Sequence, residues 1–425
     1  MASISGLQKT TDYKVVIPFY IYACFSVVIG TLLLLLNTDI IDAHYFNPHT
    51  LAITHTMALG WGTMTIFGAS YQLLPVLIEG EIDSNLLGYL TFIFAAIGIP
   101  ILVYGFYQFD NMLILQIGGS LINIAVICYL VNVMVSSFKS DRRNVHAWFM
   151  IVASAWLLST TFFGLLLAFN FTRNVLPSDS VSYLTIHAHL GLVGWFLLLV
   201  MGVGSKLIPL FLISKYKNDK ELWMVFALIN ISLISFLVIR IMDLKIGYYL
   251  PIGIAFLGIA LFANYCREAY VVRIRKSVDY QVKLSIASIA QMLLPVVALL
   301  VVLTILPASK YTNIVLLYGF CIFFGWITAI IYGMTFKTMP FIVWNKVYYK
   351  NKRVKRPPAP KELFDEQIFR VMMGAYIIGF FVFATSIILK NLILAKLGAA
   401  VLLFSAVLYA FNSIKSILHK PIKEL

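Results

Sequence analysis

Charge is scarce in this chain: Asp, Glu, Lys and Arg make up 12% of its 425 residues, about half the share usual in soluble domains. So few charges cannot clothe a core of this size in water. Acidic residues are the scarcer sign, 18 against 32 Lys and Arg, for a formal charge of +14. There are four cysteines, Cys24, Cys128, Cys266 and Cys321, with no C-x-x-C spacing. That excludes a disulfide framework and a thiolate metal site, and leaves them as small apolar filler. No Walker loop, dinucleotide fingerprint or hydrolase elbow occurs, so nucleotide and acyl-transfer chemistry have no foothold. What fills the chain is apolar: 61% of residues are hydrophobic and the mean hydropathy is +0.91.

The apolar residues form long uninterrupted runs rather than heptads or alternating strands. A helix needs about 20 of them to cross some 30 Å of hydrocarbon. About twelve such runs are present, at 14–36, 51–78, 86–108, 112–135, 146–170, 183–213, 222–243, 247–266, 283–307, 312–343, 367–389 and 394–417. The expected fold is an all-α polytopic membrane protein, one transmembrane domain over 1–425. No positive segment or small-residue cleavage site flanks the first run, so no signal peptide is expected. Lys and Arg concentrate in alternate connections, which places both termini in the cytoplasm of a multi-pass cell (inner) membrane protein. The densest basic run, Lys346 to Lys361 with Arg353, Lys355 and Arg356, is juxtamembrane and reads as contact with anionic lipid rather than nucleic acid.

The pattern G-W-x(6)-G-x(6)-P occurs three times without a change of spacing: Gly60-Trp61, Gly68, Pro75; Gly194-Trp195, Gly202, Pro209; Gly325-Trp326, Gly333, Pro340. The copies lie roughly 130 residues apart, in the second, sixth and tenth runs. This predicts three pseudo-repeated four-helix units, about 1–140, 141–275 and 276–425. On a regular helix the two glycines and the proline fall within roughly 80° of one another, a narrow face suited to close helix packing.

Five residues before each Gly-Trp pair the copies read His55, His189 and Phe320; seven before, they read Ile53, His187 and Tyr318. A regular helix puts His55 and His189 about 140° from the first motif glycine, and His187 about 160° from His189. His187 and His189 therefore cannot ligate one metal ion together. His55 and His189 should lie roughly 6–9 Å inside the outer boundary. An ionisable side chain at that depth is costly and usually functional. Each is either an interfacial hydrogen-bonder or a ligand for heme iron or copper, and recurrence at one register favours the ligand.

His-x(4)-G-W-x(6)-G-x(6)-P on the second and sixth of twelve helices resembles the heme-copper oxidase superfamily, in the catalytic subunit I of cytochrome c oxidases and nitric-oxide reductases. The run from His55 through Trp61, Gly68 and Tyr71 to Pro75 is similar to the second helix of the reductase branch. The run His187-Ala-His189 to Trp195 is similar to the helix that carries a copper ligand. The resemblance implies an oxidase subunit I-like fold, His55 as an axial heme ligand, and His189 or His187 as a heme or copper ligand. A cytochrome or copper redox partner and a diatomic gas such as nitric oxide or oxygen are also implied. The chain departs from that family in having seven histidines and none between 190 and 418. The usual copper pair and the histidines of helix 10 are missing, as in short, divergent subunit I-like relatives.

The expectation is a heme-binding, and on the same histidines copper-binding, membrane protein in electron transfer or gas response, without autonomous oxygen reduction. Whether it is an enzyme stays open. The alternatives are a transporter or channel on the same scaffold, and a respiratory subunit completed by partner chains. Arg240 is the candidate partner of a heme propionate, or else pairs with Asp243. Lys206 and Lys337, at the register where the first copy has Gln72, read as snorkelling anchors. His44 and His49 either are solvated loop residues, or cover a heme edge or catch copper. Asn123, Asn230 and Gln291 either bond across helices, the expected role, or line a polar path.

Overall fold

The computed structural model describes residues 11–140, 144–305, 311–349 and 357–421. They are helical, and no strand occurs among them. In chain order the long helices are α1 (Tyr13–Leu36), α2 (48–78), α3 (Asn85–Gln108), α4 (Met112–Lys139), α5 (Val145–Arg173), α6 (Ser180–Leu212), α7 (Asp219–Ile241), α8 (Tyr249–Val271), α9 (Tyr280–Leu300), α10 (Asn313–Tyr349), α11 (Glu366–Leu389) and α12 (Leu392–Ile417). All but α2, eleven among the described residues, are long and apolar enough to cross a membrane. The chain is a multi-pass membrane protein.

The difference from the twelve expected runs lies in α2. It is helical throughout but carries Thr50, Thr54, His55, Thr56, Thr63, Thr65, Ser70 and Gln72. Those hydroxyls and the imidazole dilute its apolar character below that of the other eleven. Two further expectations fall partly outside the described residues: the end of the ninth run at 306–307, and Arg353, Lys355 and Arg356 of the basic cluster.

Helix starts follow the local sequence. Asn111, Asn144 and Asn218 each turn a side-chain oxygen onto a backbone N–H of the first turn, and Asp365 and Asn391 do so twice. Asn218 and Glu221 cap each other reciprocally, the amide accepting from the Glu221 N–H and donating to its carboxylate. Several helices close on a left-handed residue that is not glycine, including Phe109, Ile213 and Lys390 at φ near 51–52°.

The described residues form two compact units. The first contains Leu73–Val278 and Ile289–Thr304. Within it α3 and α4 interlock so tightly that a Cβ added at Gly118 would lie 2.6 Å from the Leu102 nitrogen. The second contains Asp12–Gln72, Asp279–Ser288 and the described residues after Ile305. There α11 and α12 interlock in the same way, a Cβ at Gly398 meeting the Phe383 nitrogen at 2.7 Å. Contacts of this closeness supply packing where lipid provides no hydrophobic drive between helices.

Candidate functional site

Each copy of the Gly-Trp motif lies on a stretch of π-helix: Thr56–Thr63 in α2, Leu190–Leu197 in α6 and Cys321–Ile327 in α10. The residue that closes the preceding α-helical segment is His55, His189 and Phe320 in turn. The register found in the sequence is therefore also a structural boundary, the last α-helical residue before the widened turn. Widened turns of this kind concentrate at functional sites. They also change the geometry expected from a regular helix. The wider turn lies between each histidine and the first motif glycine, so the separation of about 140° derived for a uniform helix does not hold.

His55 and His189 are held alike. In each, Nδ1 donates to the carbonyl one turn earlier, Leu51 for His55 and Thr185 for His189, both at 2.8 Å. A carbonyl can only accept, so Nδ1 carries the proton and the lone pair of the neutral ring is on Nε2. That arrangement is the one an imidazole uses when its outer nitrogen serves as a ligand. Both rings are half-buried.

In the first unit, His189 lies against Phe236 of α7, ring centroids 4.5 Å apart. One turn further along α7, Arg240 donates to the Ser182 carbonyl at the start of α6 (2.8 Å). His189 and Arg240 thus share the groove between α6 and α7. The alternative partner Asp243 follows the end of α7 and adopts a left-handed φ of 52°. His187 turns the other way: its Nδ1 donates to the Thr160 carbonyl of α5 at 3.1 Å, and its ring covers Gly164. The two histidines face different helices, as their spacing required.

In the third copy the position belongs to packing. Phe320 stacks on Phe324 (5.1 Å) and Phe380 (5.4 Å), lies tilted against Phe383 (4.8 Å), and is buried. A ring with no lone pair has replaced the imidazole, and its neighbours are apolar.

The motif tryptophans are core residues. Trp61 is fully buried and its indole N–H donates to the Thr328 hydroxyl of α10 at 3.0 Å. Trp195 packs edge-on to Tyr129 at 6.0 Å. Lys206 is part-exposed and pairs with Glu79 at 3.6 Å, in keeping with a snorkelling anchor; Lys337, only 12% exposed, instead pairs with Asp279. At the corresponding place in α2, Gln72 donates to the Thr338 carbonyl at 3.1 Å. Asn123 bonds across to the Thr161 carbonyl (3.0 Å), and Asn230 accepts from Trp156 (2.9 Å). His44 belongs to its own loop, where Nδ1 accepts from the Phe46 N–H at 3.1 Å.

One histidine escaped the sequence reading. His146, buried in the first turn of α5, lies 3.3 Å from the carbonyl of the motif glycine Gly202 and 3.1 Å from the Ser205 hydroxyl, both through Nδ1. It fastens α5 to α6. No sequence signal marked it, because its partners are a backbone carbonyl and a serine more than fifty residues away.

Among the described residues, no three of His, Cys, Asp or Glu converge as metal ligands would. A heme needs only one axial imidazole from the protein, whereas copper of the oxidase kind needs several nitrogen ligands. The single, carbonyl-oriented histidines fit the first demand. Compared with known families and with characterised proteins, the chain matches no family model and no curated protein.

Proposed function

We propose that the chain is a heme-binding integral membrane protein of the oxidase subunit I-like type, built from three related four-helix units. It acts in electron transfer or in the response to nitric oxide or oxygen, and does not reduce oxygen on its own. The observation that carries this reading is the shared treatment of His55 and His189. They hold the same place in a repeated motif, precede the same π-helical turn and make the same Nδ1 bond at 2.8 Å. In both, the bond to the carbonyl one turn earlier leaves the neutral ring with its lone pair on Nε2, the atom a heme iron would take.

Bound heme would supply one-electron chemistry and an open position for a diatomic ligand. The protein's own part is orientation. Leu51 and Thr185 fix the tautomers through their carbonyls, and Phe236 holds the His189 ring from the side. Arg240, one turn beyond Phe236 on α7, offers a cation for a propionate, with the Ser182 carbonyl fixing its direction. His187, turned to α5, serves as the anchor of α6. Copper would take His189 or His187 with ligands from elsewhere, such as a redox partner chain. The basic connections face the cytoplasm and anionic lipid, with both termini on that side of the cell membrane.

The test is the absorption spectrum of protein purified after expression with ample heme, before and after dithionite, with copper measured by elemental analysis. A Soret band weakened by His55→Ala or His189→Ala supports the reading. No band and no copper would reject it, and solute flux into proteoliposomes without any cofactor would then favour a transporter.

A further inference from the structure

In the first unit, the segments that follow α6 and α8, residues 213–218 and 272–278, are stitched together. Ser214 and Arg273 form an antiparallel bridge, flanked by bonds from the Ile274 N–H to the Ile213 carbonyl (3.2 Å) and from the Arg275 N–H to the Leu212 carbonyl (3.3 Å). The Arg275 side chain serves the same junction. Its Nη1 donates to the Phe211 carbonyl at 3.4 Å and its Nε to the Ser277 carbonyl at 3.1 Å. Carbonyls at the C-terminal end of α6 are thereby satisfied.

Arg273 is only half engaged. Its guanidinium lies over the Tyr270 ring, 3.8 Å from the centroid, and Nη1 donates to the Tyr270 carbonyl at 2.7 Å. Nε is buried without a hydrogen-bond partner, and Nη2 also makes no bond among the described residues. Nε and Nη2 form the side edge of the fork, two parallel N–H groups that match two oxygens of a phosphate. A buried N–H without an acceptor is costly, so an acceptor from outside the chain would stabilise this edge.

The surroundings favour an anion with apolar tails. Lys215 and Lys276 are exposed and form no ion pair among the described residues. Nearby carboxylates are already taken: Asp219 pairs with Lys217, Glu268 with Arg267, and Glu221 accepts from Tyr216 and two asparagine amides. Beside these cations Leu210, Ile213, Val271, Val272 and Ile274 are 47–60% exposed. They stand at the ends of two membrane-crossing helices, where hydrocarbon gives way to headgroups. A soluble anion has nothing to match those side chains. A phospholipid carries its phosphate and its acyl chains together.

We propose that Arg273, with Lys215 and Lys276, forms a headgroup site for an anionic phospholipid. The Nε–Nη2 edge takes the phosphate, the lysines balance its charge, and the acyl chains lie along Ile213, Val272 and Ile274. The site differs from the general attraction of a basic connection for anionic lipid, because it depends on the planar fork of one guanidinium, which a lysine cannot reproduce. The inference rests on the chain's crossing a membrane and not on heme binding.

Native mass spectrometry of the full-length protein, delipidated in detergent and titrated with phosphatidylglycerol or with phosphatidylcholine, tests it. A first phosphatidylglycerol bound more tightly than those that follow is expected, with no counterpart for phosphatidylcholine. Arg273→Lys keeps the charge and should weaken that first binding about tenfold. The double variant Lys215→Gln with Lys276→Gln, at exposed positions that do not support the fold, should weaken it as well. Lys220→Gln, which removes a charge from the same end of the first unit, should leave it unchanged. Equal binding of the two lipids by the wild type, or undiminished first binding in Arg273→Lys and in the double lysine variant, would overturn the proposal. Displacement of the lipid by millimolar inorganic phosphate would assign the fork to a soluble anion and overturn it too.

Discussion

Gly333, the second motif glycine of α10, offers a sharp test of how the repeat packs. A Cβ there would lie 2.7 Å from the Gln281 carbonyl oxygen and 3.3 Å from the Ser285 nitrogen, both backbone atoms of α9. Ordinary van der Waals contact begins near 3.4 Å, so α9 would have to retreat by about 0.7 Å along its own packed face. Overpacking of this kind costs about 1–3 kcal/mol, and the upper end applies when backbone rather than a flexible side chain must move. Alanine recovers about 1 kcal/mol through its better helix propensity. Gly319, on the same helix, has nothing within 4 Å of an added Cβ. Gly319→Ala therefore gains the propensity term without the clash. The propensity gain cancels between them, so the two variants should differ by about 3 kcal/mol, Gly333→Ala being the less stable. Intrinsic tryptophan fluorescence during thermal unfolding in detergent reads the difference. Equal midpoints for the two variants would refute the close-approach account of the motif glycines.

Other outcomes follow from single contacts. Tyr376→Phe removes a phenol that donates to the Gly325 carbonyl at 2.7 Å in a buried place; a loss of about 1–2 kcal/mol is expected in the same melt. Asp365 accepts from the Ile368 N–H, from Lys415 and from the Gln367 N–H, which holds its carboxyl below the ordinary value. A depressed carboxylate stabilises the fold above its unfolded pKa and loses that stabilisation as pH falls through the folded one. Melting temperatures should thus drop below about pH 4 in the wild type, and Asp365→Asn should flatten that part of the profile. Phe236→Ala frees the His189 ring and, with heme bound, should shift the absorption maximum while heme content is retained; an unchanged spectrum would remove Phe236 from the site.

The helices were legible because length and apolar composition are set residue by residue, and their starts are marked by Asn or Asp. The π-helical turns were not. A shift from i→i−4 to i→i−5 bonding leaves no residue signature, which is why the azimuth of His55 and His189 read from a uniform helix needed revision. The histidine register was legible through repetition, and so was the opposition of His187 to His189. Their partners were less so. The Leu51 and Thr185 carbonyls follow from the helix itself, but Phe236, Ser182 and Thr160 come from tertiary packing. α2 was expected to be as apolar as its neighbours, and its own threonines set it apart. The ion pairs of Lys206 and Lys337 were hidden for a similar reason, since Glu79 and Asp279 lie far away in sequence.

The aromatic packing around Phe320 bears on function as much as the histidines do. In α2 and α6 the residue before the π-helical turn keeps a lone pair at considerable cost in a membrane. In α10 the same place is filled by a ring packed against three others. The π-helical turn persists without the histidine, so it belongs to the packing of the Gly-Trp motif. The histidine is an addition that two copies carry.

The most direct test of heme binding is the reduced-minus-oxidised absorption spectrum of the purified protein beside His55→Ala, His189→Ala and the double variant. The account predicts a Soret band in the wild type, reduced in one or both single variants and lost in the double variant with the thermal melt preserved. A wild-type protein without the band, or a double variant that retains it in full, would contradict the account.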